Sequence, residues 1–255
     1  MTKPKALVLS GDGINCDQET AFALNLAGFE PQVMHTSELL KEASKLRQYR
    51  LLALPGGFSY GDEIASGKVL AIKLKEGLKE ILHQYVENDG LLLGICNGFQ
   101  VLVQLGILPY SEDRQRKLAS LTRNSGGKFE NRWTRLVVDR SKNTPLLRDL
   151  EQFDLPIRHG EGCLTLGAPG ANLEAAEKMV LDGAALRYET DINGSFDRIA
   201  ALTNGKGNVF GLMPHPEAFV RWTQHPNWTQ FKTMPAEAPP GLKFFLNAYT
   251  MTVAG

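Results

Sequence analysis

Short apolar runs alternating with longer stretches of helical period organise the first hundred residues. Residues 6–10, 50–54 and 91–95 are dominated by apolar side chains and are too short for stable helices, so they read as strands, and 30–34 reads as a further strand. From Asp17, the expected N-cap, Phe22, Ala23 and Leu26 recur at helical spacing until Gly28 stops them. Residues 37–47 read as a polar helix. Residues 66–87 read as one long helix carrying Val69, Ile72, Leu74, Leu78, Ile81, Leu82 and Tyr85, closed by Asn88-Asp89-Gly90. Strand and helix in strict alternation predict a doubly wound parallel sheet.

Beyond Pro109 the pattern changes. Residues 118–138 are rich in glycine, arginine and alternating apolar positions (Trp133, Leu136, Val138), which predicts antiparallel strands laid over the first layer. Further strands are expected at 179–189, 198–203 and 208–213. A proline-rich surface loop at 233–241 should precede a terminal helix over 242–253. The fold class is therefore α/β: a mostly parallel doubly wound sheet flanked by helices, with an added antiparallel layer. A chain of 255 residues is long enough for this as one domain spanning 1–255.

Composition narrows the partners. Lys plus Arg and Asp plus Glu both number 28, so no net field recommends nucleic acid or an anionic membrane. No apolar run reaches the length of a membrane span, and the N-terminus lacks a signal-peptide core, so a cytoplasmic protein is expected. Cys16, Cys96 and Cys163 show neither paired nor zinc-like spacing, as suits a reducing compartment, and no metal site is expected. Gly11-Asp12-Gly13 fails as a dinucleotide fingerprint because the third glycine would fall at Cys16.

The chemistry begins at Gly94-Ile95-Cys96-Asn97-Gly98, where an apolar run turns abruptly into a helical stretch. That is the pattern of a nucleophile elbow: the glycines leave room for a strained turn, and the helix start points N–H groups at the sulfur, favouring the thiolate. Pro55-Gly56-Gly57-Phe58-Ser59-Tyr60-Gly61-Asp62 lies at a strand's carboxyl end, where it is either a tight loop or half of an oxyanion hole. Pro214-His215-Pro216-Glu217 follows another strand; prolines fix the histidine's backbone, and a carboxylate two residues on can hold one ring nitrogen. His225 is the competing histidine and lacks a carboxylate at matching spacing. Cys16 reads as a structural thiol without catalytic company, and His159, in a glycine-flanked polar stretch, reads as a surface-loop residue.

Taken with His159-Gly160-Glu161-Gly162 and Asn193-Gly194-Ser195, these three motifs resemble those of class I glutamine amidotransferases, and more narrowly the glutaminase subunits of phosphoribosylformylglycinamidine synthases. The resemblance implies a single glutamine amidotransferase domain with a Cys96-His215-Glu217 triad that hydrolyses L-glutamine. It further implies an oxyanion hole from the N–H groups of Gly57 and Asn97, and a part for Gln100 in binding glutamine. The ammonia would pass to a synthetase subunit that uses ATP and Mg2+ to convert formylglycinamide ribonucleotide to formylglycinamidine ribonucleotide in purine biosynthesis. This chain itself would need no cofactor, and a small third subunit is implied. Ala218 stands where such proteins usually carry arginine, and Cys163 where a basic residue is common. Two rivals stay open on the residues alone: an elbow-type cysteine hydrolase of the dienelactone-hydrolase kind, and a non-catalytic binding subunit.

Overall fold

The computed structural model describes residues 2–62, 64–110, 118–167 and 172–253. In chain order its elements are β1 (Lys5–Ser10), α1 (Asp17–Ala27), β2 (Glu30–His35), α2 (Thr36–Lys41), β3 (Leu51–Leu54), α3 (Lys68–Gly77), α4 (Lys79–Glu87), β4 (Leu91–Ile95) and α5 (Asn97–Gln104). The second half contributes β5 (Ala119–Thr122), β6 (Glu130–Val138), β7 (Gln152–His159), β8 (Cys163–Leu166), α6 (Leu173–Gly183), β9 (Ala184–Tyr188), β10 (Ile199–Thr203), β11 (Val209–Leu212) and α7 (Pro240–Val253). No helix among the described residues is long and apolar enough to cross a membrane.

Nine strands form one mixed sheet in the order β2-β1-β3-β4-β11-β10-β9-β6-β7. Pairings from β2 through β11 are parallel, and those from β11 to β7 antiparallel. Every residue of β3 and β4 is buried, as expected for parallel strands covered on both faces. Alternation along β11 shows both covers: Phe210 meets Phe244 of α7 with ring centroids 5.5 Å apart. The next residue, Gly211, faces the other way; a Cβ there would lie 2.1 Å from Phe99 of α5.

The parallel half was legible in the apolar runs, but several details differ. First, the added antiparallel layer is smaller than expected. β6, β7, β9 and β10 extend the main sheet, and among the described residues β5 and β8 form the separate antiparallel ladder, beside α5. Second, the long helices are broken. Residues 66–87 divide into α3 and α4 at Leu78, whose φ of −132° leaves the helical region, and the stretch 37–47 divides into α2 and a 3-10 turn. Third, residues 179–183 complete α6, capped by Asn172, whose side chain accepts from the Ala175 N–H; the strand starts only at Ala184. Asp17 is likewise the first helical residue of α1 and not its cap. The terminal helix begins at Pro240, a residue suited to a first helical position, where no N–H is needed.

Gly98, where α5 leaves β4, admits no side chain: a Cβ would fall 1.9 Å from the Leu54 carbonyl oxygen, a backbone atom that cannot rotate away. At Gly126 a Cβ would meet nothing within 4 Å. Gly98→Ala should therefore cost roughly 3 kcal/mol or more in urea unfolding, and Gly126→Ala less than about 0.5 kcal/mol. Equal midpoints for the two variants would contradict this packing.

Candidate active site

Cys96 occupies a strained backbone conformation, φ 50° and ψ −105°, which a residue with a side chain adopts only under constraint. The constraint comes from both sides. Its N–H donates to the Leu212 carbonyl at 2.7 Å, and its carbonyl accepts from Gln100 N–H at 3.1 Å as α5 begins. Gly94 and Gly98 permit the reversal, because a Cβ on Gly94 would lie 2.8 Å from the Gly98 backbone. The sulfur is thus held at the N-terminal end of α5, with the Arg158 carbonyl 3.7 Å away.

His215 arrives from β11, whose Gly211 and Leu212 pair with Gly94 and Ile95 of β4. Its N–H donates to the Pro156 carbonyl at 2.9 Å, and its ring Nδ1 lies 2.5 Å from Glu217 Oε1. Both side chains are buried. Burial disfavours a charged imidazole, but the Glu217 carboxylate, helped by the Cys96 and Cys16 sulfurs, outweighs it and raises His215 well above its ordinary pKa. Nε2 makes no hydrogen bond of good geometry and is left facing the thiols. His225, the competitor, sits elsewhere: it meets the Trp133 ring edge to face at 4.9 Å, with Nε2 3.6 Å from Asp154.

The loop after β3 and the turn after β1 are laced together by main-chain bonds, Phe58 N–H to Gly13 O at 2.8 Å and Cys16 N–H to Gly56 O at 3.2 Å. Gly57, at φ 146°, has no room for a side chain, since a Cβ would be 2.6 Å from the Gly13 carbonyl oxygen. This lacing brings Cys16 into a cleft of about 380 Å3 that Gly57, Cys96, Arg158 and His215 also line. Cys16 is half-buried, and burial raises its thiol pKa although His215 pulls the other way. The expectation that no second candidate catalytic group accompanies Cys16 is thereby corrected. Asn15, Phe129, Asn131 and Arg158 also line the cleft, and their sequence context carried no signal for this. At its mouth Phe58 and Phe129 stand 6.3 Å apart, both exposed.

Asn97 and Gln100 lie beneath the loop and not among the cleft's lining residues. Asn97 Nδ2 donates to Gln100 Oε1 at 3.0 Å and to Asp62 at 3.3 Å, while Asn97 Oδ1 accepts from Ser59 N–H at 3.3 Å. Gln100 Nε2 donates to the Glu161 carbonyl. Burial raises the Asp62 carboxyl pKa even though Ser66, Gly67 and Asn97 all donate to it. His159 is no surface-loop residue: it ends β7, is buried, and its Nδ1 meets Asn124 Oδ1 at 3.1 Å. Asn124 also accepts from Gly162 N–H at 3.0 Å, and Ser195 Oγ donates to the Gly162 carbonyl at 3.2 Å. The motifs at 159–162 and 193–195 therefore brace the segment that carries Arg158 and Glu161. Cys163 is buried in β8, away from the cleft, and burial raises its thiol pKa.

Comparison with known proteins finds matches over nearly the whole chain. The family model of the CobB/CobQ-like glutamine amidotransferase domain matches residues 3–251. The chain is 41% identical to phosphoribosylformylglycinamidine synthase subunit PurQ of Dehalococcoides mccartyi, over 97% of each chain. It is 38% identical to the subunit of that name from Thermotoga maritima, over 86% of this chain and 89% of the other. Among solved structures, a chain of PurLQS from Thermotoga maritima superposes with a TM-score of 0.73 at 35% identity, covering 96% of this chain and 97% of that one.

His159 supplies a pH test of the bracing. Burial, followed by the nearby His215 charge, lowers its pKa from 6.5 to about 4. Between those values the unfolded chain binds a proton that the folded chain does not, so this contribution is complete above the unfolded value and is lost as pH falls toward the folded one. A gap of that size is worth about 3 kcal/mol. In urea unfolding, the stability advantage of the natural chain over His159→Gln should therefore shrink by about 3 kcal/mol between neutral pH and the folded value. A difference that stays flat with pH would contradict the assignment.

Proposed function

The chain belongs to the CobB/CobQ-like glutamine amidotransferase family, and we propose that, as the glutamine amidotransferase component of a phosphoribosylformylglycinamidine synthase, it cleaves L-glutamine through Cys96, His215 and Glu217. The observation that carries this is the buried His215–Glu217 pair set against the elbow: Nδ1 is held at 2.5 Å by the carboxylate, which leaves Nε2 to face the sulfur. A carboxylate on Nδ1 selects the tautomer and stabilises imidazolium, so the ring can take the thiol proton and return it.

Cys96 Sγ attacks the side-chain amide carbon of glutamine, and the carbonyl oxygen gains negative charge. The backbone N–H groups of Gly57 and of Asn97, the first residue of α5, receive that charge. His215 protonates the departing nitrogen, ammonia leaves, and a glutamyl thioester remains. Water, deprotonated by the same ring, hydrolyses the thioester and regenerates the thiol. Gln100 contributes to the glutamine pocket from beneath, where its amide, Asn97 and the Glu161 carbonyl hold one another. The loop from Gly56 to Asp62 is tied into the same network through Asn97, so a shift in one element is felt by the other.

The ammonia serves a separate synthetase subunit that takes formylglycinamide ribonucleotide and uses ATP and Mg2+, with a small third subunit completing the assembly. The superposition on a chain of PurLQS over nearly the whole length supports that partnership. A cysteine hydrolase of the dienelactone-hydrolase kind would need no partner, and the family membership displaces it.

The two half-reactions should come apart on mutation. Cys96→Ser assembled with its partners should lose glutamine-dependent synthesis by about 10³-fold or more, yet keep synthesis from ammonium chloride. Glu217→Gln should lower the turnover of glutamine by about 10²-fold or more while its KM changes little, because the imidazole loses its orientation and the pocket does not. Loss of the ammonium-driven reaction in the Cys96→Ser complex would show that Cys96 does more than cleave glutamine. An unchanged kcat in Glu217→Gln would remove Glu217 from the mechanism.

A further inference from the structure

We propose that Cys16, Cys96 and His215 form a binding site for one thiophilic divalent cation, with zinc as the natural fit, and that metal and glutamine exclude each other there. Cys16 is the residue that glutamine cleavage does not use. It is nevertheless held in the site, its N–H donating to the Gly56 carbonyl at 3.2 Å and its carbonyl accepting from Thr20 Oγ1 at 2.6 Å. The gap left by Gly56 shows how closely the three residues gather: a Cβ there would lie 2.8 Å from His215 Cε1, 3.3 Å from Cys16 Sγ and 3.5 Å from Cys96 Cβ. Ligand atoms of Cys16, His215 and Glu217 all fall within 4.8 Å of one another, and the Cys96 side chain also stands beside the His215 imidazole.

The imidazole is prepared as a ligand by the same contact that prepares it as a base. His215 Nδ1 is engaged by Glu217, and Nε2, completely buried, has no hydrogen-bond partner. Metal-binding histidines characteristically carry a carboxylate on the nitrogen away from the metal, which fixes the ring and raises its basicity. Two sulfurs and one such nitrogen are a soft donor set that favours zinc over magnesium or calcium, and three protein ligands leave a fourth position open toward the cleft. Binding releases to solvent the thiol protons of Cys16 and Cys96, and the Nε2 proton where the ring carries one, and forms two metal–sulfur bonds and one metal–nitrogen bond, with no change of oxidation state. The three donors come from residues 16, 96 and 215, delivered by three separate strand ends, so sequence spacing could not reveal the set.

Occupancy ties up the proposed nucleophile and base together, so zinc is a reversible inhibitor that a chelator removes. This rests on the triad reading only for that consequence, because binding itself requires no turnover. Cobalt(II) titrated into the reduced chain under anaerobic conditions reports it directly. One equivalent should bind with tetrahedral visible bands and sulfur-to-cobalt charge-transfer absorption, and zinc should displace it. Cys16→Ser and Cys16→Ala should each weaken cobalt binding by about 10- to 100-fold and remove about half of the charge-transfer intensity, whereas Cys163→Ser should leave both unchanged. Absence of a charge-transfer band in the natural chain, or a band and affinity that survive both Cys16 substitutions, would overturn the proposal. A glutaminase assay on the metal-free complex separates the two readings: an inactive protein with an intact cobalt spectrum would count against the triad and not against the metal site.

Discussion

The parallel pairing of β4 with β11 is the constraint on which the site depends. In the register that sets Gly94 opposite Gly211 and Ile95 opposite Leu212, Cys96 and His215 leave the sheet at the same edge, one and three residues beyond their strands. The Cys96 N–H then caps β11 through the Leu212 carbonyl, so the elbow is fastened to the strand that leads to His215. A slip of one residue would break that bond and put Gly211, which must face Phe99, on the wrong side of the sheet. On the other flank β3 pairs with β4, and β1 with β3, so the Gly56-Gly57 loop and the Cys16 turn emerge at this edge as well. Ligands of open α/β sheets collect at such carboxyl edges because successive loops converge there with their backbone groups free of the sheet.

Within that frame the site works against local preference. Cys96 is held at positive φ, and a histidine and a glutamate are buried together with Nε2 and Glu217 Oε2 lacking hydrogen-bond partners. Well-packed apolar residues would serve stability at least as well as a buried ion pair. What the arrangement supplies is a proton acceptor of fixed direction, raised in basicity by an unscreened carboxylate and adjacent to a sulfur that cannot turn away. The surrounding polar network, Asn97 to Asp62 and Gln100, Asn124 to His159 and Gly162, holds the loops that close over this group.

Much of this was legible in the chain itself, for particular physical reasons. Parallel strands covered on both faces write themselves as unbroken apolar runs, and the elbow and the Pro-His-Pro-Glu turn are local motifs whose residues lie within a few positions of one another. The antiparallel half was harder: β6 and β7 have one partly exposed face, and nothing in their pattern says whether they extend a sheet or cover it. The break at Leu78 was hidden because both sides keep helical spacing. Cys16 and His159 were misread because their partners come from strands far away in sequence, His215 in one case and Asn124 in the other.

The central claim is that the geometry makes one thiol, Cys96, the nucleophile toward the glutamine side chain. A glutamine analogue carrying a diazo-ketone in place of the amide reacts covalently with such a thiol, and peptide mapping of the metal-free chain after brief exposure identifies which cysteine has reacted. The account predicts label on Cys96 well ahead of Cys16 and Cys163, with protection by glutamine. Labelling of Cys16 or Cys163 at a comparable rate, or labelling of Cys96 that glutamine does not slow, would contradict it.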